Sequence, residues 1–288
     1  MIIDCHAHFE PRMLPTPEIL SRMDAHGVDR VLFIPAMNDP LHDTPELLLK
    51  GVRACLQFGA AGLVERIHRH TIREPGWVRL GGDRFAIYPQ PDNASVAKLV
   101  SEHPERFGWW VFLNPAHDPN VLETLERWRS EPGVVGVKLH PHWHDWETER
   151  AMPLFARCVE LGLPVLIHFG FGSRGDFREI CGRFPRLVVI SAHAGFPFFQ
   201  ALWKHADAFP NLYVDLSSPY LSESLVRKAV ARMGPRRCLY GTDAPYGFHA
   251  ADGHYDYGEI LGWVSRLPVS SEEQSAILGS TMQGLLSR

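Results

Sequence analysis

No apolar run in this chain approaches the roughly 18–20 residues that would cross a bilayer. The longest, such as Val111-Phe112-Leu113 and Val165-Leu166-Ile167, end after a few residues. An excess of one charge is missing as well. The net charge is −4, from 29 Lys and Arg scattered among 33 Asp and Glu, which leaves no basic arm for nucleic acid and no polybasic patch for a membrane surface. Cysteine is scarce. Cys5, Cys55, Cys158, Cys181 and Cys238 form an odd set without a CxxC pair, which argues against a disulfide framework and for reduced thiols in a cytoplasmic setting. The opening Met1-Ile2-Ile3-Asp4-Cys5-His6 is strand-like at once, with no charged leader or apolar signal core. Internal repeats and low-complexity linkers are also lacking.

What remains is an ordinary globular composition, 45% hydrophobic over 288 residues. A chain of this size buries about three quarters of its unfolded surface, so its core needs no metal staple, and a bound metal would be free for chemistry. A short β-branched apolar run, a Gly, Pro or polar stop and an amphipathic stretch recur along the sequence. The runs are Ile2–Cys5, Val28–Ile34, Phe107–Leu113, Val134–Leu139, Pro164–Ile167, Leu187–Ser191, Leu212–Leu216 and Arg237–Tyr240. Helices are expected near 17–26, 44–70, 94–103, 119–130, 148–161, 175–183, 197–208 and 222–232, with two more near 256–266 and 271–286. Alternating strands and helices imply parallel strands joined by crossovers, and eight units predict an α/β fold: a distorted (β/α)8 TIM barrel forming a single domain over 1–288. An open doubly wound sheet fits less well, because its first strand would feed a Gly-rich phosphate turn and this one feeds His-Ala-His. Residues 66–92 break the rhythm as a loop insertion between the second and third strands. With His68, His70, Arg73, Trp77, Arg79, Arg84 and Tyr88, the insertion reads as an active-site loop, the alternative being a plain surface excursion.

Histidine is the outlier, with 16 copies. In Asp4-Cys5-His6-Ala7-His8, strand alternation puts His6 and His8 on one face and Cys5 on the other, toward the helices. Inside a barrel the first face leads to the mouth, where active sites gather, and two neutral imidazoles there begin a metal site. Later runs end in a similar way: the fifth at His168, the sixth at His193 and the eighth at Asp243. Any one of these could be a core histidine bonded to a carbonyl or an aspartate capping the next helix. Four coincidences on four strands argue for a shared centre.

With these residues in view, the chain resembles the amidohydrolase superfamily: an HxH on the first strand, His on the fifth and sixth, and Asp on the eighth. GVDR from residue 27, EHPERF at 102–107, GVKLHP at 136–141, AHAG at 192–195 and GTDAPYG at 241–247 are similar to its amidohydrolase-related branch (the amidohydrolase 2 family), which includes aminocarboxymuconate-semialdehyde decarboxylase. The resemblance implies that His6, His8, His168 and Asp243 hold one divalent metal, zinc first, with manganese and iron as alternatives. It makes Asp243 and His193 the catalytic pair, Asp243 moving a proton and His193 polarising the substrate. Lys138 and His140, two apart on the fourth strand, leave a second option. With His193 they would serve a second ion or the substrate, although one ion is preferred over two. The residues after the fourth and fifth strands, with the insertion, supply candidate substrate contacts in Trp143, Arg174, Arg73 and Arg84, with Trp146 nearby. Asp215 and Ser217-Ser218 would give supporting hydrogen bonds.

The reaction expected first is hydrolysis of an ester, lactone or amide carbonyl of a small molecule by metal-activated water. The alternative is a metal-dependent nonoxidative decarboxylase of an aromatic or unsaturated acid. A barrel without turnover is the third option. The expected partner is a small molecule, with neither nucleic acid nor membrane, and aromatic-rich loops hint at a homodimer.

Overall fold

Eight parallel strands follow one another around a single sheet. They are β1 (Ile3–Phe9), β2 (Arg30–Pro35), β5 (Phe107–Phe112), β6 (Val134–Leu139), β7 (Val165–Ile167), β8 (Val189–Ser191), β9 (Leu212–Asp215) and β10 (Cys238–Leu239). Two further strands among the described residues, β3 (Trp77–Leu80) and β4 (Asp83–Ala86), pair with each other, antiparallel, in the insertion after β2. The structure, a computed structural model, describes residues 1–41, 46–57, 66, 76–80, 83–249 and 255–287. Among them, no helix is long and apolar enough to cross a membrane.

The strands are nearly continuous apolar runs because both faces are covered, by side chains filling the barrel within and by helices outside. Two of the expected helix stops work through glycine. Gly27 and Gly162 take φ of +66° and +67°, so that Val28 N–H reaches back to the Met23 carbonyl and Leu163 N–H to the Cys158 carbonyl, both at 2.9 Å. Each tie turns the chain directly into the next buried strand. The barrel closes between its first and last strands although β10 has only two residues. Cys5 N–H donates to the Tyr240 carbonyl at 3.0 Å, Asp243 N–H to the His6 carbonyl at 2.7 Å and His8 N–H to the Ala244 carbonyl at 2.5 Å. The Asp4 carboxylate adds two acceptors across this seam, for the hydroxyl and the N–H of Thr242.

One feature of β1 departs from simple alternation. Asp4 pairs with Val31, yet Ala7 pairs with Phe33, so three steps of β1 span two steps of β2. Before this bulge, Ile3 and Cys5 pack inside the barrel with Leu32, Trp110 and Leu166. After it, Ala7 and Phe9 pack in the outer layer with Val31 and Phe33. Cys5 therefore faces inward, against expectation, and the bulge is what lets His6 and His8 face inward beyond it.

The insertion is also more regular than a loop. Trp77–Leu80 and Asp83–Ala86 form a hairpin, tied to the rim by Ala86 N–H and the Tyr88 hydroxyl, which both donate to Asp39 at 2.8 and 2.7 Å. The Gly81-Gly82 pair between two short segments is a hairpin signal in the sequence itself. Of the helix expected over 44–70, Glu46–Gln57 is helical, and residues 58–65 and 67–70 lie outside the described residues, as do His68, His70 and Arg73.

Candidate metal centre

The C-terminal ends of β1 and β10 bring three donors together. Asp243 Oδ1 lies 3.4 Å from His8 Nε2 and 3.7 Å from His6 Nε2, and all three side chains are buried. The three ligand atoms lie within 4.8 Å of one another. Asp243, at the turn after β10, holds a φ of +64°, and His193 after β8 a φ of +55°. Left-handed backbone is costly for residues with a Cβ and is retained where surrounding contacts fix it, commonly at functional sites.

A second carboxylate sets the protons of two imidazoles. Asp215 at the end of β9 accepts from His6 Nδ1 at 2.8 Å, which leaves His6 Nε2 as a lone pair aimed at Asp243. Its other oxygen accepts the Ser217 hydroxyl at 2.5 Å, and His193 N–H and Ser217 N–H at 3.0 Å each. Ser217 has a single hydroxyl proton, and the anion takes it. His193 Nδ1, 2.9 Å from Ser217 Oγ, must then be the donor. Neutral His193 thus also turns a bare Nε2 toward the centre, 4.0 Å from Asp243 Oδ2. It accepts a proton there when neutral and donates one when protonated. Ligating imidazoles are commonly oriented by such carboxylates, which fix the tautomer and raise ligand basicity.

His168 stands one imidazole further round, outside the tight triad. Its ring lies 4.7 Å from that of His193 and 4.3 Å from that of His140, and its buried Nε2 has no hydrogen-bond partner among the described residues. Lys138 on β6 is fully enclosed, and among the described residues its Nζ likewise has no hydrogen-bond partner. The buried Asp4 carboxylate accepts from Thr242. Burial draws the Lys138 ammonium down to about 8 despite the pull of Asp215 and Asp243. Burial and the Lys138 charge together bring His6 down to about 3, and burial above all lowers His8, His140 and His168. Burial alone would raise Asp243, but the charge that the imidazoles of His193, His6 and His8 carry when protonated, with a hydrogen bond from His8, outweighs it and holds the carboxyl at about 2. Neutral imidazoles beside an ionised carboxylate are the donor set a divalent ion requires, and the bare, buried Nε2 atoms of His6 and His168 are what such an ion would satisfy.

Aromatic rings surround these donors. Phe196 meets His168 and His142 edge-on at 5.4 and 5.8 Å and stacks on Tyr220 at 5.4 Å. Tyr246 meets His8 at 5.4 Å, and Trp143 lies 5.6 Å from His140. Tyr220 and Tyr246 were not singled out from the sequence. The available signal was a tyrosine beside a proline just past a strand end, as in Pro219-Tyr220 and Pro245-Tyr246. Of the expected substrate arginines, Arg174 pairs with Asp145 at 2.6 Å, and Arg84 covers the Trp77 ring on the hairpin at 4.0 Å. Arg73 lies outside the described residues. Trp146 is buried in the outer layer.

A family model described as amidohydrolase matches residues 3–281. No curated protein matches the sequence. Among solved structures, the chain is similar to 5-carboxyvanillate decarboxylase from Sphingomonas paucimobilis, at 17% identity over 99% of this chain and 98% of that one, with a TM-score of 0.59. It is similar to a dihydroxybenzoic acid decarboxylase from Polaromonas with bound manganese and the inhibitor 2-nitroresorcinol, at 18% identity over 99% and 96% and a TM-score of 0.61. It is also similar to 4-oxalomesaconate hydratase from Rhodopseudomonas palustris, at 16% identity over 100% and 96% and a TM-score of 0.63.

Proposed function

The chain belongs to the amidohydrolase family, and on that premise we propose that it is a metal-dependent nonoxidative decarboxylase of a small aromatic or unsaturated acid. The observation that carries this reading is the aromatic lining. Phe196, Tyr220, Tyr246 and Trp143 surround the imidazole cluster and suit a flat ring better than a flexible ester or amide. The decarboxylases among the similar structures support the same choice over hydrolysis, the reaction expected first from the sequence.

His6, His8, His168 and Asp243 would hold one divalent ion, zinc or the manganese seen in a similar structure. When bound, the ion supplies a Lewis-acid anchor for the substrate carboxylate and a neighbouring oxygen. Loss of CO2 leaves an electron pair on the ring carbon, so the reaction consumes one proton and no water. His193 Nε2 and Asp243 Oδ2, 4.0 Å apart, would carry that proton. Ser217 and Asp215 hold the His193 ring in position through Nδ1. Phe196 and Tyr220 keep bulk water from the carbon being protonated.

The test is a panel of hydroxybenzoates and unsaturated dicarboxylates, with lactones and amides alongside, using zinc- or manganese-loaded protein with and without chelator. Release of CO2 without incorporation of labelled water oxygen is expected. Turnover confined to lactones or amides, with labelled oxygen in the product, would replace this reading with hydrolysis.

A further inference from the structure

The imidazoles of this site do not all carry their protons in the same place. His140, the first residue past β6, caps the short helix Pro141–His144, and its Nδ1 accepts the N–H of Trp143 at 3.2 Å. A backbone N–H can only donate, so Nδ1 must offer a lone pair and the single proton of the ring must sit on Nε2. That Nε2–H has no hydrogen-bond partner among the described residues, while the ring lies 4.3 Å from that of His168. His6 and His193 are arranged the opposite way, with Nδ1–H tied down and Nε2 bare.

We propose that His140 is not a metal ligand but a substrate-binding donor, whose Nε2–H, backed by the Lys138 ammonium, receives an anionic oxygen of the substrate beside the metal. Lys138 lies on the inner face of β6, and His140 follows directly past the strand's end, where its ring meets that of His168. Lys138 is fully buried, and its Nζ has no hydrogen-bond partner among the described residues. Two donors with no acceptor among the described residues, beside a centre built of acceptors, divide the site into a β1/β10 side that binds a cation and a β6 side that binds an anion. The inference rests on the proposed function for the nature of that anion, a carboxylate or phenolate, and on His140's own bonds for the rest.

The variants separate the two ring nitrogens. His140→Asn retains an oxygen where Nδ1 caps the helix but loses the reach of Nε2. His140→Gln places an amide N–H near the position of Nε2 but gives up the cap. Zinc-loaded protein carrying 15N-histidine would be titrated with salicylate and followed by long-range proton–nitrogen correlation, with zinc content measured in parallel. A pyrrole-type Nε2 and a pyridine-type Nδ1 at His140 are expected, with the Nε2–H proton moving as salicylate binds. His140→Asn should retain its zinc and bind salicylate about ten- to a hundredfold more weakly, the scale of a hydrogen bond to a charged group. His140→Gln should recover most of that loss. Loss of zinc from His140→Asn, the reverse tautomer in the zinc-loaded protein, unchanged salicylate affinity in His140→Asn, or no salicylate binding by the parent protein would each overturn the proposal. These readouts need no turnover, so failure to detect CO2 release would count against the reaction and leave the donor assignment standing.

Discussion

Replacing Asp215 with Asn tests the tautomer logic of the centre directly. The two side chains are nearly isosteric, and Asn can still accept the N–H groups of His193 and Ser217, now 3.0 Å from one oxygen. The atom facing His6 Nδ1, at 2.8 Å, then becomes an NH2 group that can only donate. His6 answers by moving its proton to Nε2, the atom 3.7 Å from Asp243 that a metal ion would use. Loss of such an orienting partner typically costs 10–100-fold in metal affinity, or about 1.4–2.7 kcal/mol at roughly 1.4 kcal/mol per tenfold. The assay is competition for zinc against a chromophoric chelator at pH 7.5, with circular dichroism and melting temperature as controls for folding. Ser217→Ala is the companion variant. It leaves the bond between His6 and Asp215 in place, so its zinc affinity should stay within about threefold of the parent by that same bond-by-bond reasoning. Zinc affinity of Asp215→Asn within about twofold of the parent, below the 10-fold floor of that range, would refute the assignment of Asp215 as the group that sets His6.

Metal removal should lower the melting temperature, because an ion at about 100 times its Kd adds roughly 2.7 kcal/mol to the native state, worth several degrees for a domain of this size; an unchanged melting temperature on adding zinc or manganese to the chelated protein would contradict a native-state site. Burial raises the thiols of Cys158, Cys181 and Cys238 to about 12 and that of Cys5 well above its usual value. A disulfide reagent at pH 8 should therefore react quickly with at most the half-buried Cys55 of the five in native protein, and with all of them in denaturant. Rapid native labelling of several would contradict the packing. Gly136→Ala should destabilise by about 1–3 kcal/mol or more through overpacking. The added methyl would run into the Pro164 carbonyl on one side and the Trp110 ring, 2.7 Å away, on the other. Denaturant unfolding that shows no loss would mean that β6 and β7 lie further apart than the structure places them.

The barrel was legible in the sequence because its strands are short apolar runs with polar rims, and because glycines such as Gly27 and Gly162 stop helices just before strands begin. The bulge in β1 was not. Strict alternation through Asp4-Cys5-His6-Ala7-His8 sends Cys5 outward, and only the offset between Asp4↔Val31 and Ala7↔Phe33 reveals the change of phase. That offset depends on β1 pairing simultaneously with β2 and with the segment after β10, a condition that no local window contains. The aromatic wall was hidden for a related reason. Tyr220 and Tyr246 sit in loops where an aromatic residue is unremarkable, until Phe196 and His8 from distant parts of the chain come to rest against them.

Sequence presents His6, His140 and His193 as equivalent polar residues at strand ends. Their chemistry diverges through one further contact each. The partner of His6 lies 209 positions away, at Asp215. His193 reaches the same carboxylate through Ser217, 24 positions on. His140 is set by the N–H of Trp143, only three positions on. A carboxylate behind an imidazole draws the proton to its own side and bares the far nitrogen, whereas a backbone N–H behind it drives the proton to the far side. One residue type thereby supplies both the lone pairs that suit a cation and the N–H that suits an anion, with the His168 ring standing between His140 and His193. The local cap at His140 was open to sequence reasoning, since a polar residue followed by Pro141 marks a helix start. The other two were not, because they depend on β9 closing against β1 and β8.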